Sequence, residues 1–252
     1  MPRRIIAAAG AACTLLLGSA ISIAQDGPPE FRPVELWACN YNERKDADDF
    51  ARAMRLMVAG TGEEKYAAYK LTPNFRGPNQ DFDFIYIGVW ENGTTMGRDM
   101  TNYAENGAAA IAAWDEAVNC PISGLFASYR IQAIEDGGDG AGRFMLTVSD
   151  CKVNHGNNAG QAIGALQRYN DYRVANGMTI PTFAWFPAFG GGDADFDFKL
   201  VEAYSGPQHF GDAWQWFTDH AAYDVLDDMM DGIVDCDEAR VYAGETIMNN
   251  MM

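Results

Sequence analysis

The sequence of 252 residues predicts an α+β fold in which two β-α-β-β-α-β repeats follow one another along the chain. One observation is a block that recurs at a constant offset of 114 positions, from Pro73 to Pro187 and from Tyr103 to Phe217. Both copies contain Pro-x-Phe, Asp-Phe-Asp-Phe, an aromatic residue and a glycine at matching places. A second observation is that strand-like and helix-like hydrophobic patterns follow in the same order in both halves. We therefore expect the two halves to share one fold.

In the first repeat, segments rich in aromatic and aliphatic residues predict four strands. These strands are Val34–Cys39, Tyr66–Leu71, Asp81–Trp90 and Leu125–Ile131. Phe50, Met54 and Met57 have helical spacing after an acidic first turn, which suits the helix dipole, and Gly60 ends that helix. Two more helical patterns follow the third strand, one carrying Met96 to Tyr103 and one at Ala108–Val118.

The second repeat predicts the same order of elements. Its strands are expected at Phe144–Cys151, Thr182–Phe186, Phe196–Tyr204 and Ala239–Ile247. Its helices are expected at Ala159–Val174 and around Phe210–Phe217. This order is the ferredoxin-like motif, in which the last strand lies antiparallel beside the first.

The first 24 residues have the features of a signal peptide. Arg3 and Arg4 precede the short apolar core Ile5–Leu17, and the small residues of Ser22-Ile23-Ala24 suit cleavage before Gln25. We therefore expect a periplasmic or secreted protein. The predicted organisation is a signal peptide at 1–24, a first repeat at 25–134, a linker at 135–142 and a second repeat at 143–252.

The formal net charge of −17 predicts a surface that repels nucleic acid and anionic lipid. We therefore expect no nucleic-acid partner, and no membrane association once the leader is removed. The aromatic content of 12% indicates a packed globule instead of a disordered acidic chain.

Four cysteines follow the leader, and an even number in a secreted chain favours disulfides. Three pairings are possible. In the ferredoxin-like strand order, the end of the first strand meets the start of the last. Cys39 and Cys120 occupy these places in one repeat, and Cys151 and Cys236 occupy them in the other. The pairs Cys39–Cys120 and Cys151–Cys236 are therefore predicted.

The third strand predicts how the two repeats pack. Its alternating side chains are apolar on both faces, with Phe84 and Tyr86 on one face and Ile85 and Ile87 on the other. A strand that is apolar on both faces is covered on both faces. Helices are expected to cover one face and the sheet of the other repeat the second. No further oligomer is then required to complete the core.

Two ferredoxin-like units packed sheet to sheet in one chain resemble the dimeric α/β-barrel superfamily in a tandem-fused form. The Leu71-Thr72-Pro73-x-Phe75 run and Asn92-Gly93 also resemble a group of uncharacterised secreted proteins of marine bacteria. The superfamily includes cofactor-free quinol monooxygenases, haem-degrading oxygenases, chlorite dismutases and members without known catalysis. The resemblance implies the fold and leaves open whether the chain is an enzyme.

Glu202 and His209 are the candidate catalytic residues. Glu202 shares strand parity with Phe196, Phe198 and Tyr204, on the face assigned to the barrel interior. Arg130 or Arg240 could be its cationic partner. The corresponding residue of the first repeat is Gly88, so the repeats differ at this place. The alternative for Glu202 is a structural or solvent-exposed role.

Aromatic side chains of the third strands are the candidate ligand contacts, with a structural core role as the alternative. They are Phe84, Tyr86, Trp90, Phe198 and Tyr204. Haem use in the superfamily generally needs an axial histidine. For His155, His209 and His220, exposed or helix-capping positions are favoured instead, so no cofactor is predicted.

No metal site is predicted, although two acidic patterns suggest calcium at first. The Asp81/Asp83 and Asp195/Asp197 pairs stand where aspartate commonly caps turns. The 227–238 segment partly fits a calcium-binding loop, but Met229 occupies a position that requires an oxygen ligand.

Two functional hypotheses follow. The first is a secreted or periplasmic barrel protein that binds a small apolar or aromatic ligand between its two sheets. The second is an oxygenase of the monooxygenase or haem-degrading type. The sequence alone does not decide between them.

Overall fold

The computed structural model of the protein describes residues 30–60, 65–75, 80–132, 142–190 and 195–251. The predicted signal peptide and nearly all of the predicted linker lie outside these residues. The leader and the domain limits therefore stay predictions.

Within the described residues, the first repeat has four strands and three helices. The strands are β1 (Phe31–Tyr41), β2 (Tyr66–Phe75), β3 (Phe84–Trp90) and β4 (Val118–Gln132). The helices are α1 (Ala47–Gly60), α2 (Gly93–Asn106) and α3 (Ala108–Ala117). Asn92 caps α2 by accepting a hydrogen bond from the backbone N–H of Thr95. The predicted elements are all present, and β1, β2 and β4 are longer than predicted.

The second repeat adds one helix and one short strand to the predicted set. Its strands are β5 (Arg143–Val153), β6 (Thr182–Gly190), β7 (Phe198–Tyr204), β8 (Val234–Cys236) and β9 (Arg240–Asn249). Its helices are α4 (Ala159–Ala175), α5 (Pro207–Asp219) and α6 (Ala222–Met230). Asn158 and Gln161 form a capping box at the start of α4, which satisfies backbone donors at that end.

Eight of the strands close into an antiparallel barrel. The sheet runs β7-β6-β4-β1-β3-β2-β9-β5, and β5 pairs with β7 to complete the ring. Within each repeat the strand order is ferredoxin-like, with β4 beside β1 and β9 beside β5. The β4–β6 and β2–β9 pairings join the two repeats edge to edge. The short β8 continues the ladder beside β5.

Both predicted disulfides are present. Cys39 is bonded to Cys120 across 81 residues, and Cys151 is bonded to Cys236 across 85 residues. Each bridge starts near the end of the first strand of its repeat. Cys120 lies near the start of the last strand, β4, and Cys236 lies in β8, the short strand that precedes β9. The strand order and the cysteine positions thus agree in both halves.

The barrel interior is filled by apolar side chains from both repeats. Buried members include Val34, Leu71, Ile85, Trp185 and Val201. The prediction that one sheet covers the other is therefore confirmed for the Ile85 face of β3. The opposite face carries Phe84, Tyr86 and Trp90, which pack against helices instead.

The face assigned to Glu202, Phe198 and Tyr204 is wrong. These residues lie on the helix-covered side of β7, while Val201 occupies the barrel interior. The predicted alternation starts at Phe196, but β7 begins only at Phe198. Phe196 packs into the interior, so the period of two is broken before the strand starts.

The acidic pairs that precede β3 and β7 hold this irregular backbone. Asp83 accepts a hydrogen bond from the backbone N–H of Tyr41 at 2.9 Å, and Asp197 accepts one from Val153 at 2.7 Å. The same contact is made in both repeats, which supports the turn and edge role. Within the described residues there is no cluster of His, Cys, Asp and Glu arranged to hold a metal ion. Across the same residues, no helix combines the length and the apolarity that a membrane span requires.

Candidate functional site

A cavity of about 690 Å³ lies between the sheet and the helices of the first repeat. We call it the first-repeat cavity. Its walls come from β1, β2 and β3, from helices α1, α2 and α3, and from β4 and β9. Phe189 and Gly190 at the end of β6 complete it, so the second repeat also contributes to the wall. The volume lies within the range of small-molecule sites.

Aromatic and thioether side chains make up most of this wall. The aromatic rings from the first repeat are Trp37, Tyr66, Tyr86, Trp90, Tyr103 and Trp114. The methionines are Met54, Met57, Met96, Met100 and Met248. Methionine is flexible and polarisable, so such a wall adapts to the shape of a ligand.

Helix α2 presents one face to the cavity because of its sequence spacing. Met96, Asp99, Met100 and Tyr103 recur at three- and four-residue intervals, which places them on the same side of a helix. The hydroxyl group of Tyr103 is buried and has no hydrogen-bond partner among the described residues. A ligand in the cavity could satisfy it.

Glu35 is the central polar group of the cavity. Its Oε1 accepts a hydrogen bond from the Tyr66 hydroxyl at 2.7 Å, and its Oε2 accepts one from the Trp37 indole N–H at 2.9 Å. The Tyr66 and Tyr86 hydroxyl oxygens lie 2.5 Å apart, so a chain of hydrogen bonds connects Glu35 through Tyr66 to Tyr86. The Glu35 side chain is only partly buried, and it lines the cavity.

Burial raises the pKa of Glu35 above its ordinary value of 4.5. The hydrogen bonds from Tyr66 and Trp37 oppose this change, while the nearby charge of Asp99 adds to it. Asp99 accepts a hydrogen bond from the Trp90 indole N–H at 2.9 Å. Burial also raises the pKa values of Tyr66 and Tyr86 well above 10.0, so both hydroxyl groups stay protonated donors at neutral pH.

Gly88 allows the Glu35 carboxyl group to occupy its position. Glu35 pairs with Gly88 across the β1–β3 ladder. A Cβ atom on Gly88 would lie 2.3 Å from Glu35 Oε1 and 2.1 Å from the Tyr66 hydroxyl oxygen. Any larger residue would therefore displace both groups. A glycine inside a strand is a recognised sign of such a close approach.

The predicted catalytic pair lies elsewhere, in the second repeat. Glu202 accepts a hydrogen bond from Arg173 Nη1 at 2.5 Å and another from the Tyr204 hydroxyl at 2.9 Å. His209 lies at the start of α5, where its Nδ1 accepts a hydrogen bond from the Ser205 backbone N–H at 3.2 Å. Neither residue lines the first-repeat cavity. Their catalytic roles stay predictions.

The cationic partner proposed for Glu202 is wrong. Arg240 pairs with Asp150 and Asp237, and the Arg130 guanidinium lies 5.9 Å from the centre of the Phe183 ring. The fourth strands therefore do not supply the partner. It comes from α4, because Glu202 lies on the helix-covered face.

The structure brings together only part of the predicted aromatic contact set. Tyr86 and Trp90 line the cavity. Phe84 packs in the core with Phe50, at a ring distance of 4.7 Å, and Phe198 and Tyr204 belong to the cores of the second repeat. The cavity that Tyr86 and Trp90 line lies between the sheet and the helices, and not between the two sheets.

The sequence reasoning missed Glu35, although two signals were present. Glu35 is the single acid within the apolar strand segment Val34–Cys39, on the same face as Trp37 and Cys39. Gly88 interrupts a strand of large side chains. Together these signals indicate a carboxyl group beside the space that a missing side chain leaves at Gly88. The register of β1 on β3 is needed to connect the two residues.

Solved structures resemble this chain in fold. The fold is a dimeric α/β barrel contained within one chain. A candidate monooxygenase from Fusobacterium nucleatum matches with a TM-score of 0.57 and 11% identity, covering 86% of this chain and 93% of that chain. A mutant chlorite dismutase from Candidatus Nitrospira defluvii matches with a TM-score of 0.52 and 8% identity, covering 86% and 92%.

A third solved structure of this barrel type is an anthrone oxidase-like protein, with a TM-score of 0.51 and 10% identity, covering 88% of this chain and 95% of that chain. No protein-family profile matches the chain, and no curated protein matches it. At these identities the likeness of the barrels establishes the fold alone.

Stability is expected to depend on pH through Glu35. Because the pKa of Glu35 is raised in the folded chain, the unfolded state loses this proton first as pH rises. Glu35 therefore reduces the free energy of unfolding progressively above about pH 4.5, up to its folded-state pKa. In urea unfolding between about pH 4 and pH 8, the free energy of unfolding of Glu35→Gln relative to the wild type should increase with pH, because the amide does not titrate.

The slope with pH is the informative quantity in that experiment. The exchange of carboxylate for amide alters the hydrogen bonds from Tyr66 and Trp37 and adds an offset to the stability difference. A difference that stayed flat or decreased with rising pH would contradict a raised pKa at Glu35. Glu238→Gln, at an exposed position of the second repeat, is the matched control and should show no such slope.

Proposed function

We propose that the protein binds a small aromatic molecule in the first-repeat cavity and that Glu35 anchors the polar end of this ligand. The observation that carries the proposal is the Glu35 carboxyl group, which accepts hydrogen bonds from Trp37 and Tyr66 within a wall of aromatic rings and methionines. Apolar walls provide the affinity in such sites, and a few polar groups fix the orientation. The barrel interior is packed, so this cavity takes the place of the inter-sheet site that the sequence suggested.

Binding is expected to be lost when the cavity is filled. Met96→Trp places a larger ring on the α2 wall and should abolish the binding of 1-naphthalenemethanol, measured by isothermal titration calorimetry. The matched control is Phe210→Trp, because Phe210 occupies the corresponding position 114 residues later and does not line the cavity. Equal binding by the two variants would place the ligand elsewhere and contradict the proposal.

A second candidate function is oxygenation without a cofactor. Glu35 favours it, because a carboxylate of raised pKa is a stronger base and stands beside a cavity that suits a planar aromatic substrate. Removal of a proton from anthrone would give an electron-rich anion that reacts with O₂ to form anthraquinone and water. Oxygen uptake with anthrone that is lost in Glu35→Gln would extend the proposed function from binding to catalysis.

Haem does not fit this cavity. The superfamily generally uses an axial histidine for haem, and no histidine is among the described residues of the cavity wall. His155 and His220 are exposed, and His209 lies beside Tyr204 in the second repeat. The described cavity wall therefore does not favour the haem-degrading alternative.

We also infer that the protein functions outside the cytoplasm. The support is the pair of disulfides, which persist in oxidising compartments, together with the leader that the sequence predicts. Mass spectrometry of protein secreted from a heterologous host would test this inference, since we expect an N-terminus at Gln25.

A further inference from the structure

Both repeats carry a carboxyl group at the same place on the helix-covered face of the barrel. In the first repeat, Glu35 of β1 pairs with Gly88 of β3. In the second repeat, Thr147 of β5 pairs with Glu202 of β7. Each pair lies four residues from the Cys–Phe pair at the other end of its ladder, so the two positions are equivalent. The carboxyl group comes from the first strand in one repeat and from the third strand in the other.

The second repeat neutralises its carboxylate with a cation from its own chain. Arg173 of α4 is 1% exposed and donates to Glu202 at 2.5 Å. It also donates to Asn170, and to the Thr182 hydroxyl at 2.7 Å. The guanidinium carbon lies 5.1 Å from the centre of the Tyr169 ring, a cation–π distance. The second repeat is thus a built example of a cation held by a carboxylate and an aromatic ring.

Among the described residues of the first repeat, no such cation lines the cavity beside Glu35. The residue that corresponds to Arg173 is Ala59 at the offset of 114 that relates the repeated blocks, or Thr61 at the offset of 112 that relates Cys39 to Cys151. No lysine, arginine or histidine is among the described residues that line the first-repeat cavity. The cavity therefore leaves open the place beside Glu35 that corresponds to the place of Arg173 beside Glu202.

The rings around this space suit a positive charge. The Trp37 indole and the Tyr66 hydroxyl both donate to Glu35, and hydrogen bonds to an anion make such rings more electron-rich. Tyr86 and Trp114 lie close together at a ring distance of 5.2 Å in the same wall. Aromatic cages of this kind recognise ammonium groups. The net charge of −17 also attracts cations to the protein from solution.

We propose that the ligand of the first-repeat cavity is an organic cation, an amine or guanidine joined to an aromatic or apolar group. Its charged end takes the position beside Glu35 that Arg173 takes beside Glu202, and its apolar part contacts the methionines of the wall. This inference rests on the proposed binding function and specifies the chemical class of the ligand.

Three ligands that share one ring system and differ in charge test this inference. They are 1-naphthylmethylamine, 1-naphthalenemethanol and 1-naphthoate, titrated calorimetrically into the disulfide-bonded protein at neutral pH. We expect the amine to bind at least about tenfold more tightly than the alcohol, and the carboxylate to give no measurable binding. Glu35→Gln should weaken amine binding by about tenfold, and by a larger factor than it weakens alcohol binding.

The outcomes separate the inference from the function on which it rests. If the alcohol or the carboxylate binds as tightly as the amine, the cationic class is wrong and the aromatic-binding function stands. If none of the three binds, both are wrong. Should Glu35→Gln fail to fold, Met57→Lys places an ammonium group on the α1 wall of the cavity. It should abolish binding of the amine, and unchanged amine affinity in that variant would overturn the inference.

Discussion

Replacement of Arg173 by methionine is expected to lower the free energy of unfolding by about 3 to 5 kcal/mol. Arg173 is buried and is bonded to Glu202, Asn170 and Thr182. Methionine fills much of the same volume but leaves the Glu202 carboxylate largely buried without a cation. Removal of one partner from a buried ion pair has a greater effect than removal of both, because an uncompensated charge remains. Urea unfolding followed by circular dichroism measures the loss.

A double variant shows whether the uncompensated charge is the cause. Arg173→Met combined with Glu202→Leu removes both charges and should recover most of the lost stability. Arg168→Met, at an exposed position of the same helix, controls for the change in helix composition and should alter the stability by less than about 0.5 kcal/mol. If the double variant were as unstable as the single one, packing would explain the effect instead of charge.

Removal of either disulfide is expected to lower the free energy of unfolding by about 4 kcal/mol. The bridges close segments of 81 and 85 residues, and chains of that length gain much conformational entropy in the unfolded state when a bridge is absent. Cys39→Ala with Cys120→Ala, and Cys151→Ala with Cys236→Ala, should therefore have similar effects. Differential scanning calorimetry should detect a decrease in Tm of roughly 8 to 16 °C for each pair.

The reducing agent dithiothreitol provides the control for the disulfide experiment. The reduced wild type should unfold at a lower temperature than either variant measured without dithiothreitol. The reduced wild type lacks both bridges, whereas each unreduced variant keeps one. A wild-type Tm that did not respond to reduction of both bridges would contradict the expected contribution.

The sequence could predict the fold because its signals are local or repeated. The constant offset between Pro73 and Pro187 indicates two equal units, and local hydrophobic patterns place nearly every strand and helix. The pairing of Cys39 with Cys120 follows from the strand order of one unit, with no knowledge of the other. The strand and helix patterns and the cysteine pairing each depend on residues of a single repeat.

The orientation of β7 could not be predicted in the same way. Alternation assumes a regular strand, but Asp197 turns its side chain to the backbone N–H of Val153 and the regular strand starts one residue later. The hydrogen bond that breaks the pattern is made to a residue 44 positions away. A local reading of the sequence therefore placed Glu202 on the wrong face.

The candidate site was hidden because it depends on contacts between distant segments. The importance of Gly88 is clear only when Glu35 lies across from it, and the neutralisation of Glu202 is clear only when α4 lies over β7. Phe189 lines the cavity through the β4–β6 pairing, which joins the two repeats. These contacts between segments far apart in sequence depend on the closed barrel, and no local sequence pattern indicates them.

The single covalent chain also gives the barrel a freedom that a dimer of identical subunits lacks. In such a dimer, a residue that fills the space beside one carboxylate fills it beside both. Here Arg173 occupies that space in one half, while the other half keeps a cavity of about 690 Å³. One half can therefore be devoted to rigidity and the other to recognition, although both have the same strand order.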